Sequence, residues 1–222
     1  MAGGAAGTEP IKQHGVKASS TLAQNSDYKN SMFDKIARVY GLFYARQKKR
    51  FNEVLDGAAG EELPQGCRIL DVGCGTGALC DVLAGRGFAV TGVDPAKKML
   101  RIAKKRNAGN GAKFVCASAL ETLPFDDNVF DVSIASYVAH GIGAQERAKM
   151  YAQMSRVTSG KIIIYDYNEK RALLSTIIEK MEGGTYFGFI KTALSEMRQQ
   201  FGEVRVIEAG PRAAWYIMKP GG

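Results

Sequence analysis

The chain has 222 residues, 45% of them hydrophobic and 23% charged, with a net charge of +8. That balance excludes a disordered or low-complexity chain, and no apolar run approaches the roughly 20 residues that cross a bilayer. The sequence does not open with a basic stretch followed by an apolar one, so a cytoplasmic protein without a secretory leader is expected.

Residues 1–25 are rich in Gly, Ala, Ser and Thr without apolar periodicity, which predicts a tail that carries His14 with it. Residues 26–222 read as a single domain. Phe33, Ile36, Ala37, Tyr40, Phe43 and Tyr44 recur at three- and four-residue steps and predict a helix. Phe51, Val54 and Leu55 continue the helical pattern until Gly57, Gly60, Pro64 and Gly66 end it. The apolar face packs on a core; a lid over a ligand is the other role open to it, across about residues 28–55.

Next comes a buried strand, Cys67 to Val72, short and bounded by turn residues. It carries Asp71 near its end, and Gly73, Gly75 and Gly77 follow at alternate positions. Alternate glycines let the backbone bend sharply and let a ligand approach without meeting a Cβ. Leu79, Val82 and Leu83 then resume helical spacing, and Gly85 and Gly87 close that helix. Strand, glycine loop and helix form the nucleotide corner of a doubly wound α/β sheet. Gly73, Gly75 and Ala78 also satisfy the dinucleotide pattern. Asp71 discriminates: a carboxylate there repels a pyrophosphate and suits a ligand with an ammonium and no phosphate.

Ile69-Leu70-Asp71-Val72-Gly73-Cys74-Gly75-Thr76-Gly77 resembles motif I of the class I S-adenosylmethionine (SAM)-dependent methyltransferases. The resemblance implies a Rossmann-like seven-stranded sheet with helices on both faces and a C-terminal antiparallel hairpin. It also implies SAM as methyl donor and S-adenosylhomocysteine as product. Phe33-Asp34-Lys35-Ile36-Ala37-Arg38-Val39-Tyr40 is similar to the N-terminal segment of the ubiquinone/menaquinone-biosynthesis methyltransferases, which implies that Phe33 and Tyr40 touch SAM.

The second strand, Ala89 to Asp94, ends in an acid 21 residues after Gly73, the separation expected for a carboxylate on ribose hydroxyls. The structural alternative is an N-cap for a helix begun by Pro95. Met99, Leu100 and Ala103 form that helix's core face, opposite Lys97, Lys98, Arg101, Lys104, Lys105 and Arg106. These cations, with Arg46, Lys48, Lys49 and Arg50, read as solvated helix faces, or as an RNA surface. A third strand, Lys113 to Ala117, leads to the turn Ser118-Ala119-Leu120, which should edge the adenine. Many relatives place an acid where Ser118 stands.

Leu123-Pro124-Phe125-Asp126-Asp127-Asn128-Val129-Phe130-Asp131 resembles another run of the same methyltransferases and leads into a fourth strand, Val132 to Ala135. Ser136, Tyr137 and His140 follow at its C-terminal end, where ligands of such sheets bind. Tyr137 and His140 are the catalytic candidates, for substrate contact or proton transfer; a structural role beside the cofactor stays open for His140. Met150, Tyr151 and Met154 mark a helix, and Gly160 to Asp166 a fifth strand. A helical insertion follows at about 170–201, with Tyr186, Phe187 and Phe189 either capping a substrate pocket or filling the core. Runs from Glu203 to Glu208 and Ala213 to Met218, joined through Gly210-Pro211, predict the closing hairpin.

The cofactor set is therefore Phe33, Tyr40, Asp71, Gly73, Cys74, Gly75, Gly77, Asp94, Pro95, Met99, Ser118, Ala119, Leu120 and Ser136. No metal-ligand cluster is apparent, and none of the four cysteines forms a C-x-x-C pair. The expected reaction is an in-line displacement from the sulfonium methyl to an oxygen, nitrogen or carbon of a small-molecule acceptor. The alternatives are an RNA methyltransferase, a SAM-binding protein without turnover, and an NAD oxidoreductase. Acceptor and oligomeric state stay open.

Overall fold

The computed structural model describes residues 44–168 and 185–221. The expected tail, the lid residues Phe33 and Tyr40, and the first insertion helix lie outside the described residues. So do the side chains of Tyr186 and Phe187.

Seven strands form one sheet: β1 (Arg68–Val72), β2 (Ala89–Asp94), β3 (Lys113–Cys116), β4 (Phe130–Ser136), β5 (Thr158–Tyr167), β6 (Arg205–Glu208) and β7 (Ala213–Met218), in the order 3-2-1-4-5-7-6. β1 to β5 are parallel, while β7 runs antiparallel to both β5 and β6. Side chains alternate between the faces, so a strand buried on both sides reads as a continuous apolar run. Ile162, Ile163, Ile164 and Tyr165 illustrate this: all four are buried, two toward each of two cores. Burial of one such aliphatic side chain stabilises the fold by about 1.5–3 kcal/mol.

The first core lies under α1 (Tyr44–Leu55) and α2 (Ala78–Gly85), with Phe51, Leu55, Leu79, Leu83, Tyr165 and Trp215 in it. Two contacts fix α1 on α2. At one end Asp81 accepts bonds from the Tyr44 hydroxyl (2.7 Å) and Lys48 (2.6 Å). At the other, the Arg86 guanidinium donates to the carbonyls of Asn52 and Leu55 and to Asp56, which gives the Leu55 carbonyl, at the helix C-terminus, a donor. α3 (Lys97–Arg106) buries Met99, Leu100 and Ala103 and exposes all six of its cations.

The opposite core lies under α4 (Ala144–Val157) and α5 (Thr185–Phe201), where Met150, Tyr151, Met154, Phe189 and Met197 pack. Buried Arg147 joins the two helices through Glu196, with bonds of 2.7 and 2.8 Å. Among the described residues no helix is long and apolar enough to cross a membrane.

Several local expectations need correction. β4 runs from Phe130 to Ser136 rather than from Val132 to Ala135, and β6 begins at Arg205 rather than Glu203. β1 begins at Arg68, because Cys67 belongs to the preceding turn, its N–H bonded to the Pro64 carbonyl. β3 ends at Cys116, one residue short. α3 begins at Lys97, because Ala96 has extended backbone (φ −83°, ψ 99°) and takes the N-cap position, which leaves Pro95 outside the helix. β5 starts at Thr158, where it pairs with Phe130. Phe189 lies within α5 and is wholly buried, so at that position the aromatic is core.

Candidate active site

β1 and β4 are neighbours at the centre of the sheet, and the chain reverses its direction of winding between them. Crevices open at such a switch point, outside the C-terminal ends of the strands. The glycine loop leaves β1 there. Gly73 and Cys74 both donate to the Val93 carbonyl, at 2.8 and 3.0 Å, which closes the loop onto β2. Gly73, Gly75 and Gly77 have φ of 72°, 53° and 76°, a region that L side chains rarely adopt. A Cβ on Gly73 would lie 2.5 Å from Val138, and one on Gly77 would lie 2.7 Å from the Asn107 amide. A Cβ on Gly75 would meet nothing within 4 Å, so the middle of the loop faces open space. Gly77 begins α2 without a side-chain cap, leaving first-turn N–H groups to a ligand.

Two acids lie under this loop. Asp71 shares its face of β1 with Ile69, looks at α2 and is 1% exposed. Its Oδ2 accepts the Cys80 thiol at 3.2 Å. Burial pushes its carboxyl up to about 7; the thiol bond opposes this and the Asp94 charge reinforces it. Asp94 ends β2. Its Oδ2 accepts the Gly75 N–H at 2.9 Å and its Oδ1 the Ala96 N–H at 2.8 Å. Burial raises its carboxyl too, against those two bonds. A carboxylate has about four lone-pair sites, so each oxygen of Asp94 keeps capacity for a further donor.

The other expected residues divide. Ser118 lies in the turn after β3, its hydroxyl accepting the Leu120 N–H at 3.2 Å, with Ala119 buried beside it. The Pro95 carbonyl faces the exposed Cys116 thiol. Met99 is buried beside Ala96 and Ile102. Cys67, Cys74 and Cys80 are buried free thiols, whereas Cys116 is exposed. Ser136 ends β4, and its buried hydroxyl oxygen has no hydrogen-bond partner among the described residues.

Past Ser136 the chain makes a strained turn. Tyr137 has φ 55°, and its N–H bonds the Tyr165 carbonyl at 2.8 Å. Such backbone costs about 1–3 kcal/mol in a non-glycine residue and persists where surroundings over-determine it. A 3-10 turn, Ala139–Gly141, then carries His140. Its Nδ1 lies 2.8 Å from Oδ1 of Asp166, which is wholly buried at the end of β5. Asp166 also accepts the backbone N–H groups of His140 (3.2 Å) and Tyr167 (2.8 Å). A carboxylate on Nδ1 makes that nitrogen the donor and sets the tautomer. The Tyr167 ring stands 4.8 Å from the His140 ring and 5.2 Å from the Tyr137 ring. Burial, then the neighbouring Tyr165, holds the Tyr137 phenol well above its ordinary value.

Sequence reasoning pointed Asp166 and Tyr167, at the end of the fifth strand, to the ligand side without a specific role, read Arg50 as part of a solvated or RNA-binding helix face, and gave Tyr165 only a place in that strand. A buried strand ending in an acid was a usable signal for Asp166. Arg50 carried none, being one of four neighbouring cations.

Residues 69–160 match the family model described as "Methyltransferase domain". The chain is 30% identical over 155 residues to the demethylmenaquinone methyltransferase of Renibacterium salmoninarum, an alignment spanning 67% of this chain and 62% of that protein. The chain thus spans less than two thirds of that relative's length. Its fold is similar to that of a SAM-dependent methyltransferase of Thermotoga maritima, with TM-score 0.63 at 18% identity over 85% of this chain and 98% of that one. The PH0226 protein of Pyrococcus horikoshii gives TM-score 0.62 at 18% identity over 76% and 89%. Residues 69–160 thus match a methyltransferase domain, and the fold that holds them is similar to that of the two solved structures.

Proposed function

We propose that the chain transfers a methyl group from SAM to a small-molecule acceptor. The observation that carries this reading is the pair of acids under an open glycine loop. Asp94 would hold the ribose hydroxyls with the lone pairs its backbone bonds leave over. Asp71 would balance the ammonium of the amino-acid end. Gly73, Cys74, Gly75 and Gly77 would line the approach, Ser118, Ala119 and Leu120 would edge the adenine, and the orphaned Ser136 hydroxyl would find a partner. Pro95 and Met99 would support Asp94, and Phe33 and Tyr40 would cover the site. When bound, SAM supplies a methyl group already activated by its sulfonium.

The acceptor side is built by the ends of β4 and β5. Asp166 holds Nδ1 of His140, so Nε2 is the nitrogen that would take a proton from the attacking atom. Tyr137, kept as a neutral phenol, would orient the acceptor. Demethylmenaquinone methyltransferase, by name, acts on a small molecule, and that supports the same acceptor class here. The RNA reading has less support, because Lys48 and Arg50 turn inward to Asp81 and to two tyrosines.

Calorimetry of wild type and Asp94→Ala with SAM tests the cofactor side. The variant should lose about a hundredfold in affinity, the scale of two charge-assisted hydrogen bonds, with its melting transition retained. Unchanged affinity would contradict the ribose role. Release of S-adenosylhomocysteine across a metabolite panel tests turnover.

A further inference from the structure

Arg50 lies in the middle of α1, half-buried. Its Nε donates to two phenols at once, Tyr137 Oη and Tyr165 Oη, each at 3.1 Å. Tyr137 is the strained residue beside His140, and Tyr165 is wholly buried on β5. The rest of the fork reaches toward the turn between β6 and β7, where a Cβ on Gly210 would lie 3.6 Å from Nη2. That turn sits at the sheet end that carries Tyr167, because Ala213 pairs with Tyr167. Arg50 therefore stands beside the residues that would receive the acceptor.

Among the described residues its charge is not balanced. Arg86, Arg147 and Arg156 each have a carboxylate partner, in Asp56, Glu196 and Asp127. Arg50 has none among the described residues. Its two partners are neutral phenols, and the rings around them, Phe51, Tyr167 and Trp215, bring no negative charge. The hydrogen-bond count leans the same way. A guanidinium offers five N–H donors and no acceptor. One of them serves both phenol oxygens, and the phenols bring protons of their own. The cluster is thus rich in donors, poor in acceptors and positive. A half-buried cation in that state gains most from a carboxylate or phosphate, which takes the fork through two parallel bonds.

We propose that Arg50 is a specificity-determining residue that binds an anionic group, carboxylate or phosphate, on the methyl acceptor, with Tyr137 and Tyr165 holding its fork in place. The inference rests on the methyltransferase reading and narrows it: the acceptor is an acid, and a neutral quinone would leave Arg50 unpaired.

The test uses the full chain saturated with S-adenosylhomocysteine. Benzoate, phenyl phosphate and benzamide are titrated by calorimetry or ligand-observed NMR into wild type, Arg50→Gln and Arg50→Lys. Wild type should bind at least one of the two anions about tenfold or more tighter than benzamide. The tighter anion identifies carboxylate or phosphate as the group recognised. Arg50→Gln should abolish the preference, and Arg50→Lys, which keeps the charge and loses the fork, should retain only part of it. SAM affinity should stay within about twofold in both variants. Equal binding of benzoate, phenyl phosphate and benzamide by wild type overturns the proposal. So does a preference that survives in Arg50→Gln, or, should that variant not fold, one undiminished in Arg50→Lys. A loss of SAM affinity in the variants with the anion preference unchanged also overturns it, by assigning the fork to the cofactor's carboxylate. Failure of wild type to bind SAM at all would instead remove the methyltransferase reading, and is seen before any anion is added.

Discussion

At the scale of single residues, the chemistry concentrates in side chains whose surroundings contradict their ordinary state. Asp71 is a carboxylate in an apolar place, with its pKa pushed up to about 7 from 3.8 by burial. Between those values the folded chain keeps a proton that the unfolded chain has lost. Stability therefore falls as pH rises from about 4 to 7 and levels off above, by a few kcal/mol at most. Thermal melts from pH 4 to 8 should show this slope in wild type and a flatter one in Asp71→Asn; parallel curves would refute it. Gly92 shows a different constraint. It lies on β2 beneath two thiols, and a Cβ there would come within 2.8 Å of Cys74 Sγ and 2.9 Å of Cys80 Sγ. Gly92→Ala should cost about 1–3 kcal/mol in urea unfolding. A change under about 0.5 kcal/mol would mean that the loop yields freely.

Among the elements, the strands were legible and the pairings between distant side chains were not. β2 and β7 have the limits expected from alternation and turn residues, because both are short apolar runs between glycines, prolines or charges. The start of α3 was not legible: Asp-Pro-Ala satisfies a helix N-terminus on paper, and the Asp94–Ala96 bond is present, yet Ala96 stays extended and the helix begins only at Lys97. Asp71, Asp94 and the glycines could be named as candidates because loop chemistry is local in sequence. The His140–Asp166 pair spans 26 residues and Arg50–Tyr165 spans 115, so no spacing rule reaches them. Arg147 is of the same kind. It is 3% exposed, pairs with Glu196 and donates to the Ile142 carbonyl at 2.5 Å, just past the turn carrying His140. Arg147→Met removes the charged donor from Glu196, which keeps only the Thr192 hydroxyl among the described residues, and the donor from that carbonyl. It should destabilise the chain by about 3 kcal/mol in denaturant titration; a neutral result would show that α5 holds its place by apolar packing alone.

For the molecule as a whole, a parallel sheet closed by an antiparallel hairpin brings three separately encoded features to one edge: the glycine loop after β1, the acid ending β2 and the His–Asp pair between β4 and β5. Fold alone leaves the ligand open, since doubly wound sheets serve many chemistries. The charge beneath the loop makes the choice, because an acid there favours a cationic nucleoside and repels a diphosphate. Parallel calorimetric titrations of the full chain at pH 8, where Asp71 is ionised, test that choice most directly, one with SAM and one with NADH. SAM should bind with saturable heat and NADH should give none. Saturable NADH binding with no response to SAM would contradict the account.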